Sequence, residues 1–169
     1  MILEEPFPLA SLPDMYHWLK SCPTITRSPE FPMDWESFEP VLRDKLSHVR
    51  SWAVRDEWGI CGAVLLEPVG EMAAQAYVVS ARRAWGKGHL DQAVKAIMSM
   101  VFTGDRPLSY VIGLVKAHNH LARAFNERVG MKLKNVFPDR ELLAYELTRD
   151  QWAAALLEST PVLAGKVSA

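Results

Sequence analysis

The sequence predicts an α/β fold of the α+β kind, with about six to seven strands flanked by about four helices. Three observations predict it. From Arg50 onward the apolar pattern takes the period of strands, in runs Ser51 to Arg55, Ile60 to Leu66 and Met72 to Val79. On either side, apolar residues recur at helical spacing. Between them, Tyr77 to Ala96 reads as a strand, a turn with Gly86 and Gly88, and an apolar-periodic helix that continues through Met100 and Phe102.

Taken in order, Met1 to Leu3 is a short first strand. A helix is expected over Leu12 to Lys20, with Ser11 as N-cap and Pro13 in the first turn, where a missing N–H costs nothing. Ser21 to Pro32 holds Pro23, Pro29 and Pro32 and reads as a loop. Asp34 caps a second helix to Leu46, with Trp35, Phe38, Val41 and Leu42 as its stripe; Pro40 is expected to kink or split it. Asp56 to Gly59 turns one strand into the next, making a hairpin that Pro68 and Gly70 close. After the glycine turn and its helix, Gly104 to Pro107 is a loop. Tyr110 to Val115 is a continuous apolar run, as suits a buried central strand. Ala117 to Arg128 is a helix ended by Gly130, followed by strands Met131 to Phe137 and Glu141 to Leu147. Gln151 to Leu157 is a short terminal helix, with a frayed tail over 159–169.

Length and composition bound the function. The chain has 169 residues and 49% apolar content, enough for one sizeable core, so 1–169 is expected to be a single domain. Within it, 1–49 is a helical substrate-side segment and 50–148 the sheet with its binding turn. With 19 basic against 20 acidic residues, no strong field recommends nucleic acid or an acidic membrane as partner. Cys22 and Cys61 are too few and too far apart for a disulfide framework or zinc site, and suit a reducing cytoplasm. Met1 to Ala10 lacks the basic start and apolar stretch of a signal peptide, and no apolar run reaches membrane-spanning length. His118 and His120 form a His-x-His pair but have no third ligand at useful spacing, so no metal is expected. Trp18, Trp35, Trp52 and Trp58 read as core or cleft wall.

The chemistry concentrates at the glycine turn. A helix N-terminus presents amide N–H groups without intrahelical acceptors and the positive end of a dipole. Glycines beside it let a bulky anion approach the backbone, and Arg82, Arg83 and Lys87 add positive charge. A phosphate or pyrophosphate is the ligand this suggests. The third glycine of a dinucleotide fingerprint and the Gly-Lys-Ser/Thr ending of a P-loop are missing.

Two stretches together resemble the GNAT superfamily of N-acetyltransferases. Arg83-Ala84-Trp85-Gly86-Lys87-Gly88 fits its Arg/Gln-x-x-Gly-x-Gly/Ala turn. The register from Trp85, giving Trp-Gly-Lys-Gly-His-Leu, resembles the turn of the branch that acetylates protein N-termini and polyamines. It is preferred because the helix then begins where Leu90, Ala93 and Val94 become periodic. The second stretch runs from Asn119, through Ala122, to Gly130-Met131, at family spacing.

The resemblance implies a mixed, mostly antiparallel sheet that splays open beside the turn, with acetyl-CoA in the wedge. Its pyrophosphate would lie on the amides of Trp85, Gly86, Lys87, Gly88, His89 and Leu90, beside Arg83. Pantetheine would pair with Val78, Val79 and Ser80, reach Asn119 and pass Phe125. A free backbone N–H near Val79 would hold the carbonyl. Two departures stand out. The family's usual tyrosine, which protonates the leaving thiolate, falls at Asn126. The strand that often supplies a glutamate base has Ala73, Ala74 and Gln75 at its middle, leaving Glu71 as the nearest carboxylate and the catalytic candidate. The expected activity is transfer of acetyl from acetyl-CoA to a primary amine of a small molecule, polyamine, peptide or protein, by direct transfer in a ternary complex. A non-catalytic acyl-CoA-binding or accessory protein is the alternative. Thr24 to Trp35 and Phe137 to Arg140 are expected to choose the acceptor, and an exposed last strand offers an edge for a homodimer.

Overall fold

A computed structural model describes residues 1–22 and 34–159. Seven strands form one sheet: β1 Ile2–Glu4, β2 Arg50–Asp56, β3 Gly59–Pro68, β4 Ala73–Ser80, β5 Tyr110–Lys116, β6 Lys132–Phe137 and β7 Leu142–Thr148, in the order β1-β2-β3-β4-β5-β7-β6. Only β4 and β5 run parallel among the described strands; every other neighbouring pair is antiparallel. The sheet is therefore mixed and mostly antiparallel. Five helices flank it among the described residues: α1 Leu12–Lys20, α2 Trp35–His48, α3 His89–Thr103, α4 His120–Arg128 and α5 Arg149–Ser159.

The two hairpin strands are buried on both faces. Trp52, Ala53 and Val54 of β2 and Cys61 to Leu66 of β3 are all buried, because alternate side chains enter different cores. Trp52, Val54, Val64 and Leu66 join Ile97, Met98, Val101 and Phe102 of α3 and Trp152 of α5 in one cluster. Ala53, Ala63 and Leu65 join Leu12, Met15 and Trp18 of α1 and Phe38 and Leu42 of α2 in the other. Beyond the fork the cover is one-sided. Val111, Val115, Leu143, Tyr145 and Leu147 are buried in the α3 cluster, whereas Leu114 and every residue of β6 are exposed.

Several local expectations are corrected. Ser11 stands at the N-cap of α1 as expected, but its hydroxyl accepts no capping hydrogen bond; a 3-10 turn, Leu9–Ser11, leads into α1, and Pro13 occupies its first turn. Asp34 does cap α2, accepting from the Ser37 N–H at 2.7 Å. Pro40 does not split α2, which runs unbroken to His48. Pro40 is exposed, so the Glu36 carbonyl it leaves without a helical donor faces water. The helix expected from Ala117 begins at His120, because the Asn119 side chain accepts the Ala122 N–H at 3.1 Å. Most of the Ser21 to Pro32 loop, the segment Thr24 to Met33 and the tail after Ser159 lie outside the described residues.

Candidate active site

The site is built where β4 and β5 part. They pair only at Ala73 with Tyr110, Ala74 with Val111 and Gln75 with Ile112. From Ala76 to Ser80, β4 keeps its β3 partners, while β5 from Gly113 to Lys116 keeps β7. The facing edges have no strand partner among the described residues. Backbone parity decides which groups face the gap. Ala81 N–H bonds the Cys61 carbonyl on the β3 side at 2.9 Å, and the Met72 carbonyl accepts from Ser109 on the β5 side at 2.7 Å. Because pairs alternate along an antiparallel ladder, odd residues of β4 are bonded to β3. The N–H groups of Val78 and Ser80 therefore face the fork, that of Ala76 closes the last parallel pair on Ile112, and the Val79 N–H is spent on β3. This moves the donor expected near Val79 by one residue.

β4 then runs into the turn. A 3-10 turn at Arg82–Ala84 precedes Gly86 and Gly88, at φ 71° and 75°, left-handed values that favour glycine. A Cβ at either glycine would meet nothing within 4 Å, so the space above both is open. Gly88 is the N-cap of α3 and offers its first-turn amides no side-chain acceptor. Lys87 is exposed and His89 half-buried beside them. Leu90 contributes backbone only, since its side chain is buried over Gly62. Trp85 is exposed, donates Nε1–H to Ser80 Oγ at 3.1 Å and lies under the Arg82 guanidinium at 5.9 Å.

Arg83 faces elsewhere. Its Nη2 donates to the Ile60 carbonyl at 2.7 Å and its Nε lies 3.3 Å from Asp56 Oδ2, so it ties the turn to the β2–β3 hairpin. Burial works against ionised Asp56, but the Trp58 N–H and Arg83 outweigh it and hold the carboxyl below its usual range. Burial, then the Asp56 charge, pushes the Cys61 thiol up.

Across the fork, Asn119 is half-buried at the N-cap of α4, its oxygen used by the helix and its amide N–H₂ left for another partner. Phe125 packs partly on the core beneath Arg128, whose guanidinium bonds Asp91 in the first turn of α3 at 2.8 and 3.3 Å. That pair links the two helices beside the fork and raises the pKa of Arg128 through the Asp91 hydrogen bond. Asn126 is 8% exposed, with Nδ2 lacking a partner among the described residues. It packs over Gly113, the first β5 residue past the fork; a Cβ there would lie 3.1 Å from Nδ2. Tyr145 is core, its hydroxyl bonded to Glu127 at 3.2 Å.

Glu71 is not brought to the fork. It is exposed on the β3–β4 connection, five positions before Ala76, roughly 16 Å along an extended chain. A different carboxylate stands closer. Glu67 of β3 pairs in register with Gln75, the last β4 residue in register with β5. Its Oε2 accepts from Tyr77 OH at 2.6 Å and from Lys45 Nζ of α2 at 2.9 Å. The Tyr77 hydrogen bond, then Lys45, holds Glu67 below its usual value; burial, then Glu67, pushes the Tyr77 phenol up. Sequence reasoning missed this cluster because its members are joined only by strand register and by docking of α2. The signal available was Glu67 itself, a carboxylate ending a strand that is otherwise apolar.

Open space of about 270 Å³ lies where β5 ends, lined by Ala117, His118, Phe137, Pro138 and Leu142. No three His, Cys, Asp or Glu side chains gather as a metal site among the described residues, nor is any described helix long and apolar enough to cross a membrane.

A splayed strand pair running into an uncapped helix N-terminus across two left-handed glycines is a framework open to an extended ligand that carries an anion. The family model for the acetyltransferase (GNAT) domain matches residues 2–132. The chain belongs to the GNAT acetyltransferase family: it is an N-acetyltransferase that moves the acetyl group of acetyl-CoA to an amine. No curated protein sequence matches it. Among solved structures, the spermidine N-acetyltransferase from Vibrio cholerae in complex with CoA and spermine is similar at 16% identity and TM-score 0.73, covering 89% of this chain and 98% of that one. A GNAT-family acetyltransferase from Bacillus anthracis is similar at 14% identity and TM-score 0.72, covering 89% and 96%. At these identities the likeness establishes the fold.

Proposed function

We propose that the chain acts as one unit, in the cytoplasm, to acetylate a primary amine of a small aliphatic molecule by direct transfer in a ternary complex. The observation that carries this is the continuity of the fork with the glycine turn, which lets one extended ligand run from the α3 amides to the end of β4–β5 pairing. The residues fit such a ligand. The amides of Trp85 to Leu90 would hold pyrophosphate in the open space over Gly86 and Gly88, with Arg83 fixing the turn from behind. The backbone of Val78 and Ser80 and the Asn119 amide would hold the pantetheine arm, beside Val79 and Phe125. Bound acetyl-CoA supplies an activated thioester with a fair leaving group, so the buried Asn126 need not act as an acid. The protein's part is to position the acceptor and to offer an N–H to the carbonyl oxygen, for which Val78 is placed.

The acceptor's ammonium must lose a proton. Glu71, named by the sequence for this role, stands where it fits only a relay through water; Glu67 is nearer the fork. A small-molecule acceptor is supported by the spermine held by the similar Vibrio cholerae enzyme. A protein or peptide acceptor is a secondary proposal, as is a homodimer; its edge would be β6, because the last strand, β7, expected to be the exposed edge, is paired on both sides by β5 and β6. The non-catalytic alternative is not favoured by the family match.

The test is calorimetric titration with acetyl-CoA, CoA and an adenine nucleotide lacking pantetheine, followed by thiol release over a panel of amines. Binding on the order of micromolar for the first two, with release on an aliphatic amine, is the expected result. Failure of both CoA species to bind would overturn it.

A further inference from the structure

Odd residues of β4 point toward α1 and α2, as the packing of Tyr77 and Val79 on that cluster shows. The Glu67–Tyr77–Lys45 group therefore lies on the α2 face of the sheet, within two residues of the last β4–β5 pair. Its chemistry is that of an ammonium receptor already filled. Lys45 Nζ, a primary ammonium on an aliphatic chain, sits 2.9 Å from Glu67 Oε2 and 4.2 Å above the centre of the Tyr77 ring. A carboxylate combined with an aromatic face is how proteins bind alkylammonium ions. Both hydrogen bonds to Glu67 fall on Oε2; Oε1 has no partner among the described residues. The side chains of Lys45 and Glu67 are 33% and 39% exposed, so an incoming amine can reach the carboxylate and a long lysine can swing away.

We propose that Glu67 and Tyr77 are the recognition site for the acceptor's primary ammonium, and that Lys45 occupies it as a tethered stand-in which the acceptor displaces. The proposal rests on the amine acetyltransferase reading and names where the acceptor docks. Tyr77 precedes Val78, whose N–H faces the fork, so an amine held on the Tyr77 ring lies beside the place where the carbonyl would be held. Displacement exchanges one ammonium for another, so no buried charge is left without a partner. It selects protonated aliphatic amines over neutral or aromatic ones.

The test separates this from a merely structural ion pair, because the two partners have opposite expected effects. Spermidine and a simple alkylamine are titrated calorimetrically into the protein with and without CoA. Glu67→Gln keeps the shape and a hydrogen bond to Tyr77 but removes the charge, and should weaken amine binding about tenfold or more while leaving CoA affinity unchanged. Lys45→Met removes the competitor and should tighten amine binding roughly threefold to tenfold. Weakening by both variants, or binding that neither alters, would overturn the proposal even if the protein binds CoA and releases thiol. Absence of amine binding to the wild type in either state would do the same. Failure of CoA to bind would instead count against the acetyltransferase reading, and the amine titration without CoA would still decide whether Glu67 is the receptor. Thermal melts of both variants confirm that folded protein was compared.

Discussion

Gly88 combines two requirements at one residue: a left-handed backbone at φ 75° and open space where a side chain would project. Gly88→Glu would strain the backbone by about 1–2 kcal/mol and put a carboxylate into the proposed pyrophosphate site. CoA binding should fall at least a hundredfold by calorimetry, while the fold survives; retained affinity would remove the turn from the site. Gly62 works differently. A Cβ there would lie 2.6 Å from Leu90 Cδ2 and 3.2 Å from the Val79 carbonyl, so it lets α3 start close against β3. Gly62→Ala should cost about 1–3 kcal/mol of stability by overpacking and weaken CoA binding by displacing the α3 amides. A melt unchanged within error would show that Leu90 moves aside freely. Gly86 and Gly88 were legible because their roles are local, set by a turn spanning a few residues. Gly62, Gly113 and Glu67 were not, since each depends on what a distant element lays over it.

At the scale of elements, α4 shows how a cap and the proposed pantetheine contact would share one side chain. Asn119 Oδ1 caps the helix, and only its amide nitrogen remains for the cofactor. Asn119→Asp keeps an oxygen for the Ala122 N–H and loses the donor; Asn119→Ala loses both. The aspartate variant should melt near the wild type but bind CoA roughly tenfold more weakly. The alanine variant should bind as weakly and also lose about 1 kcal/mol of stability. Equal CoA affinity in wild type and aspartate variant would remove Asn119 from the pantetheine site. The elements were mostly legible: strand alternation placed β2 to β4, and helical stripes placed α1 to α3. What escaped was arbitrated by solvent or by a partner. Pro40 leaves α2 whole because its missing bond lies on the wet face. The fork's donors shift from Val79 to Val78 because β3 claims the odd residues, and no residue of β4 announces which neighbour it will bond.

For the whole molecule, the wedge opens between a sheet half clamped on both faces and a half covered on one, and ionised carboxylates lock the first half. Asp34 caps α2, Asp56 holds Arg83 and with it the turn, and Glu67 ties α2 to β3 and β4. All three have pKa values lowered in the folded state: Asp34 by the Ser37 N–H, Asp56 against the opposing effect of burial, and Glu67 chiefly by Tyr77. A lowered folded pKa means the unfolded chain takes up the proton first, so the stability these groups contribute is complete above their unfolded values of about 3.9 for Asp and 4.3 for Glu and is lost as pH falls through the folded ones. The melting temperature should therefore be nearly flat from about pH 7 to 5 and drop below about pH 4. Asp56 is the informative member, because its side chain is only 5% exposed and its partner fixes the glycine turn. At pH 7, Asp56→Asn should melt roughly 2–4 °C below the wild type, the response to about 1 kcal/mol in a chain of this length. The difference should close as the pH falls and the wild-type aspartate protonates. CoA affinity should be lower in the variant at neutral pH and converge with the wild type in acid. Differences in melting and affinity that stay constant from neutral to acid pH would mean that the Asp56 charge does not hold the turn, and that Arg83 is fixed by the Ile60 carbonyl alone.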